Sequence, residues 1–139
     1  MLKRYNLIIL AFMMTSSVMA EELLKTTESW DGGEIAYPKG QAEITSVKMR
    51  FEAGESIPFH CHPVPTLGYI LEGTLEVETK DGSKTILKKG DSAVEVMKTV
   101  HRGTAIDGPV EIVVFYAGAT HLPTTVFPEK DPKHEFCKG

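Results

Sequence analysis

No apolar run in these 139 residues approaches the roughly 20 needed to cross a bilayer as a helix. The run at residues 7–14 falls far short. It follows Lys3 and Arg4 and precedes small and polar residues ending in Val18, Met19 and Ala20. That order of basic, apolar and small regions is the pattern of a secretory signal peptide cut after Ala20, and it competes with a reading as a membrane anchor. The expected product is a periplasmic or secreted chain with no membrane partner after cleavage. Positive charge is also scarce, with 15 Lys and Arg against 19 Asp and Glu. Losing residues 1–20 removes two positive charges and no negative ones, leaving a net of about −6 with His neutral. This composition argues against a nucleic-acid partner. Cysteine is limited to Cys61 and Cys137. An oxidising compartment permits a disulfide between them, and two unpaired thiols fit the sequence equally well.

Internal repeats are absent, and nothing after Gly33 carries helical periodicity. What is present is a series of short β segments. Val47, Met49 and Phe51 alternate with Lys48, Arg50 and Glu52, the pattern of a strand with one buried face. Further runs at residues 57–62, 67–71, 74–79, 85–87, 93–97 and 110–116 are spaced as in a sandwich or barrel. The turn at residues 80–83 contains Gly82, and Gly73, Gly90 with Asp91, and Asp107-Gly108-Pro109 mark other corners. The run at 110–116 is apolar on both faces apart from Glu111, which predicts a strand deep in a sheet. The expected fold class is all-β, a double-sheet roll. Residues 30–39 read as a leading edge strand. Beyond about Thr120, Pro123, Pro128 and Pro132 predict an extended surface tail.

The chemistry lies between Gly54 and His101. On a strand, His60 and His62 project from one face about 7 Å apart at the backbone, so two imidazole nitrogens can converge on one ion. His101, after the Gly90 turn, is the best-placed third ligand. Neutral imidazole suits Fe, Zn, Ni and Cu, with Mn also within the expected divalent set. Against this stands a metal-free pocket in which the histidines donate hydrogen bonds or fill space. Cys61, between the two histidines, is expected to face the opposite way, where a returning tail can reach it. His121 has weak standing as an extra ligand or base, and His134 reads as solvated. Tyr69, Tyr116, Phe59 and Phe115 read as core, with pocket lining the minority reading. Glu72, Glu76 and Glu95 read as surface charges, any of which can instead orient a ligated imidazole.

These residues resemble the cupin superfamily. Its first motif, G-x5-H-x-H-x3-4-E-x6-G, is matched by Gly54, His60, His62 and Gly73, and its second, G-x5-P-x-G-x2-H-x3-N, by Gly90 and His101. The resemblance covers roughly residues 40–117. It implies a jelly-roll barrel, or double-stranded β-helix, with a metal in its mouth, often in a homodimer. The implied organisation is a signal peptide at 1–20, an N-terminal segment at 21–39, the barrel at 40–117 and a tail at 118–139.

There are departures. Thr66 stands where the family has a Glu or Gln ligand, and Val96, Lys98 and Ala105 replace the Pro, Gly and Asn of the second motif. The ligand set looks like the three-histidine variant found among thiol and diketone dioxygenases. Three neutral ligands leave an ion its full formal charge of about +2, which favours an anionic or chelating small molecule. Three functions follow as expectations: a metal-dependent enzyme such as an oxygenase, a non-catalytic periplasmic cupin that binds a small molecule or metal, and a metal-free isomerase-like or structural cupin.

Overall fold

The computed structural model describes residues 18–138. The proposed signal peptide therefore lies almost wholly outside the described residues. Among the described residues five strands form: β1 (Ala42–Phe51), β2 (Thr66–Thr79), β3 (Lys84–Lys88), β4 (Ser92–Val94) and β5 (His101–Ala119). They are antiparallel in the order β1-β5-β2-β3, with β4 also paired to β2. Among the described residues, helix is limited to a 3-10 turn at Pro128–Lys130. The architecture is the expected jelly roll, with two long strands, β2 and β5, as its spine.

The runs read separately at 67–71 and 74–79 are one strand. β2 stays continuous because it bends rather than stops at Gly73. The register against β5 shifts between Ile70 and Glu72 and again between Glu72 and Thr74. Opposite the bend, Asp107 and Gly108 both take positive φ, 55° and 118°. A Cβ on Gly73, whose φ is +84°, would sit 2.1 Å from the Pro109 carbonyl oxygen. Only glycine lets the two chains approach this closely. β5 likewise begins nine residues earlier than its apolar run, which places His101 at its first position.

Ile70, Leu75, Val77, Val110, Ile112 and Val114 form the centre of the inner core. β5 lies between β1 and β2, but only one of its faces is buried: Phe115 is 42% exposed on the other, beside Ile44 at 69%. The alternation Val110, Ile112, Val114, Tyr116 fixes the inner face despite apolar residues on both sides.

Two further readings need correction. Residues 30–39 do not form an edge strand. Glu28 and Glu34 make an isolated bridge around a turn in which the Asp31 carboxylate accepts from the Ser29 hydroxyl at 2.5 Å and the Gly33 N–H at 3.2 Å. Asx-turn chemistry and Gly32 at φ +86° prevail over the extended pattern. Residues 57–62 are also not a regular strand; they make single bridges from His60 to His101, Cys61 to Val126 and His62 to Met97.

The tail departs from a loose surface segment. Val126 pairs with Cys61, Lys138 bridges to Thr99, and Cys137 forms a disulfide with Cys61. Cys61, Val100, Val126 and Cys137 make a second, smaller core, with Phe59 and Phe136 against it. The tail folds back at Asp131, whose carboxylate accepts the backbone N–H groups of Glu135, Phe136 and Cys137 at 2.8–2.9 Å. Those hydrogen bonds, Cys137's foremost, hold its carboxyl below the usual aspartate range.

Candidate metal site

His60 and His101 exchange both backbone hydrogen bonds, N to O at 2.9 and 2.8 Å. Residues opposed in such an antiparallel pair send their side chains from the same face. His62, two residues beyond His60, joins them. The three ring centroids are 4.6, 4.8 and 5.1 Å apart, and all three residues are buried. The structure therefore brings together the three histidines singled out in the sequence.

It adds a carboxylate that the sequence reading left on the surface. Glu95, just past β4, turns inward, and its Oε2 lies 2.7 Å from His101 Nε2 and 3.3 Å from His62 Nε2. One ligand atom from each of His60, His62, Glu95 and His101 lies within 4.8 Å of the others. Thr66, at the family's usual carboxylate position, is buried with its hydroxyl donated to the Val64 carbonyl at 3.1 Å. The carboxylate in the cluster thus comes from Glu95, further along the chain. Glu72 and Glu76 do fit the surface reading and pair with Lys89 and Lys84.

Each imidazole has its Nδ1 engaged by a backbone carbonyl: His60 with Pro58 at 2.8 Å, His101 with Thr99 at 2.8 Å and His62 with Thr124 at 2.7 Å. A carbonyl oxygen only accepts, so each Nδ1 carries a proton and donates it, which leaves Nε2 with a lone pair. Around Glu95, lone-pair nitrogens then face a carboxylate, and two acceptors at 2.7 Å repel. A shared cation, either a proton that makes His101 imidazolium or a metal ion, turns that repulsion into attraction. Three imidazoles and one carboxylate are a donor set suited to divalent transition metals, so these residues fit such an ion.

The electrostatics agree. Burial, the largest influence on Glu95, favours its neutral form, but hydrogen bonds from His101 and His62 and their charges outweigh it and hold the carboxyl far below its usual range. On His101, burial disfavours the charged ring, and the Glu95 carboxylate more than offsets this and raises its pKa. His60 has no carboxylate so close. Burial first, then the charges of His62 and His101, lower its pKa to about 4.

The cluster forms one wall of a cavity of about 230 Å³. Met49, Phe51, Ile57, Leu75 and Ile112 make much of the remainder, and Thr125 and Phe127 come from the tail. None of the lining residues is Lys or Arg. Tyr116 belongs to the core but also lines the cavity, its ring 5.4 Å from that of His62. Phe115 and Phe59 lie elsewhere; Phe59 stacks under the Arg102 guanidinium at 4.6 Å. His121 and His134 are exposed and stand outside the cluster.

A cupin domain family matches residues 47–116, half of the chain. No curated protein matches in sequence. Among solved structures, the DMSP lyase DddQ from Ruegeria pomeroyi DSS-3 superposes with a TM-score of 0.54 at 23% identity, over 63% of this chain and 44% of that one. A deletion mutant of Bacillus subtilis oxalate decarboxylase OxdC gives 0.51 at 21% identity, over 60% and 23%. An uncharacterised double-stranded β-helix protein from Klebsiella pneumoniae gives 0.53 at 20% identity, over 67% and 90%. The chain spans less than half the length of the first two, and these likenesses bear on the fold alone.

Proposed function

Because this chain belongs to the cupin family, we propose that its roll holds a divalent transition metal through His60, His62, Glu95 and His101 and uses it to bind a small chelating molecule. The observation that carries this reading is the gathering of three buried imidazoles, each with its Nδ1 engaged by a backbone carbonyl, beside the Glu95 carboxylate, whose Oε2 lies 2.7 Å from His101 Nε2 and 3.3 Å from His62 Nε2. A bound divalent ion supplies Lewis acidity to whatever it coordinates and, if redox-active, a site for O₂ chemistry. His60, His62, Glu95 and His101 would hold the ion, and one with a coordination number above four would remain open to a small molecule.

The residues around the site narrow that molecule. One carboxylate reduces the formal charge of a divalent site to about +1, weaker than the all-histidine set would give. The cavity adds no cationic side chain, and its walls are largely apolar. These features support a ligand with one chelating or monoanionic head and a compact apolar body, and they disfavour one with a second anionic group to be neutralised. A metal-dependent enzyme, such as an oxygenase, is the functional class proposed, with non-catalytic capture of the same ligand as the alternative. The DMSP lyase and the oxalate decarboxylase are enzymes built on the same roll, which lends support by analogy only. The disulfide supports residence in an oxidising periplasmic or extracellular compartment.

Co²⁺ titration followed by visible absorption tests the site and its ligand together. The expected result is a saturable d–d spectrum at one ion per chain. That spectrum should be perturbed more by an alkyl or aryl 2-hydroxy acid than by oxalate, and O₂ uptake with the iron-loaded protein separates turnover from capture. No spectrum, or preference for the dianion, contradicts the proposal.

A further inference from the structure

The three imidazoles are not held in the same way. His60 and His101 give their Nδ1 protons to the carbonyls of Pro58 and Thr99, each two residues back in its own stretch of chain. His62 gives its proton to Thr124, 62 positions later in the chain, with the Thr125 hydroxyl 3.4 Å away. Thr124 lies outside residues 47–116, the part that matches the cupin family. The barrel thus orients two of its histidines, and the tail orients the third.

The tail is fixed at that point by a dense set of bonds. Val126 and Cys61 exchange two backbone hydrogen bonds of 2.9 Å, and Cys61 is covalently joined to Cys137. Cys61 is the residue between His60 and His62, so the staple fastens the tail directly beside the ring it orients. On the far side, the Lys138 N–H donates to the Lys98 carbonyl at 2.7 Å, and the Lys98 N–H donates to the His62 carbonyl at 2.8 Å. Phe127 reaches over the cavity with its ring 6.3 Å from that of His60.

We propose that residues 120–138 are a strap that positions His62, with the Thr124 carbonyl fixing the proton on Nδ1 so that Nε2 faces the cluster, and the Cys61–Cys137 disulfide holding the carbonyl in place. Without the strap, His62 can take either tautomer and swing from the face shared with His60. A hydrogen-bond partner behind a metal-bound imidazole typically changes affinity by about 10- to 100-fold. His62, Thr124 and the cysteines act on the metal reading given above; the strap itself stands on hydrogen bonds independent of it.

The test compares the full chain with its Cys61→Ser/Cys137→Ser variant. Two quantities are measured: Co²⁺ affinity in competition with a chelator, and the slowly exchanging Nδ1 proton of His62 by NMR in the metal-free protein. The expected outcome is Co²⁺ affinity about 10- to 100-fold weaker and a His62 proton lost to exchange, while the His60 and His101 protons persist. Unchanged affinity together with an unchanged His62 proton overturns the proposal. If neither protein binds Co²⁺, the metal reading fails, and the His62 proton still decides the strap. Should the double variant not fold, Val126→Pro, which keeps the disulfide but removes one N–H···O bond to Cys61, is expected to shift both quantities the same way. Val126→Pro with native values in both then overturns it.

Discussion

Replacing Glu95 with Gln keeps the shape of the side chain and removes its charge. In the metal-free protein this converts the 2.7 Å contact with His101 from a bond between ions to one between neutral groups, and it weakens the 3.3 Å contact with His62. Hydrogen bonds to charged groups contribute about 1.5–3 kcal/mol, against about 1 for neutral pairs, so a loss of about 1–2 kcal/mol is expected where His101 is protonated. The sign of the pH dependence follows from the direction of the shift. His101 has a raised folded-state pKa, so its contribution is fully present below the unfolded value of 6.5 and fades as pH rises through the folded value. Glu95, held low, is ionised throughout this window. Urea unfolding in chelator at pH 5.5 should therefore show a midpoint about 1 M lower for Glu95→Gln, and the gap should narrow at pH 9. A gap equal at both pH values, or absent at pH 5.5, refutes the coupling of Glu95 to His101.

Three further outcomes follow. Gly73→Ala should cost about 3 kcal/mol or more, measured by the same unfolding assay, because a Cβ at positive φ also meets the Pro109 carbonyl at 2.1 Å; native-like stability would mean the β2 bend is not where it is described. Lys98→Gly should stabilise by about 0.5–1 kcal/mol, since Lys98 sits at φ 62° and relief of that strain exceeds the added freedom of the unfolded chain; a loss of stability would contradict this. Calorimetry of Co²⁺ binding at pH 6 in buffers of different ionisation enthalpy should report proton release to which His101 contributes, with affinity rising as pH increases; His60, with a pKa of about 4, is already neutral there, and zero release contradicts the assignment.

How far the sequence disclosed these features varied with the kind of signal. His60 and His62 were legible because alternate residues on an extended segment share a face, and His101 because it keeps its spacing from Gly90. Glu95 was not, since nothing in a single charge between Val94 and Val96 distinguishes an inward carboxylate from a solvated one. Its inward-facing apolar neighbours, Ala93 and Val96, were the available hint. Lys98, at the position of the motif's second glycine, takes a left-handed backbone at φ 62°, a conformation that glycine adopts more readily. The disulfide stayed open because it depends on distance between Cys61 and the tail, which local pattern does not encode. The outer face of β5 misled for a related reason. Apolar residues such as Phe115 occur on both sides of that strand, and only the partners it meets decide which side is covered.

The central claim is that four side chains share a metal ion, and elemental analysis of the protein purified without added metal tests it most directly. About one equivalent of a divalent transition metal per chain is predicted, lost in His60→Ala and His101→Ala while both keep a folded β-sheet spectrum. Variants that retain the metal, or a native protein that carries none and takes up none when offered, would contradict it.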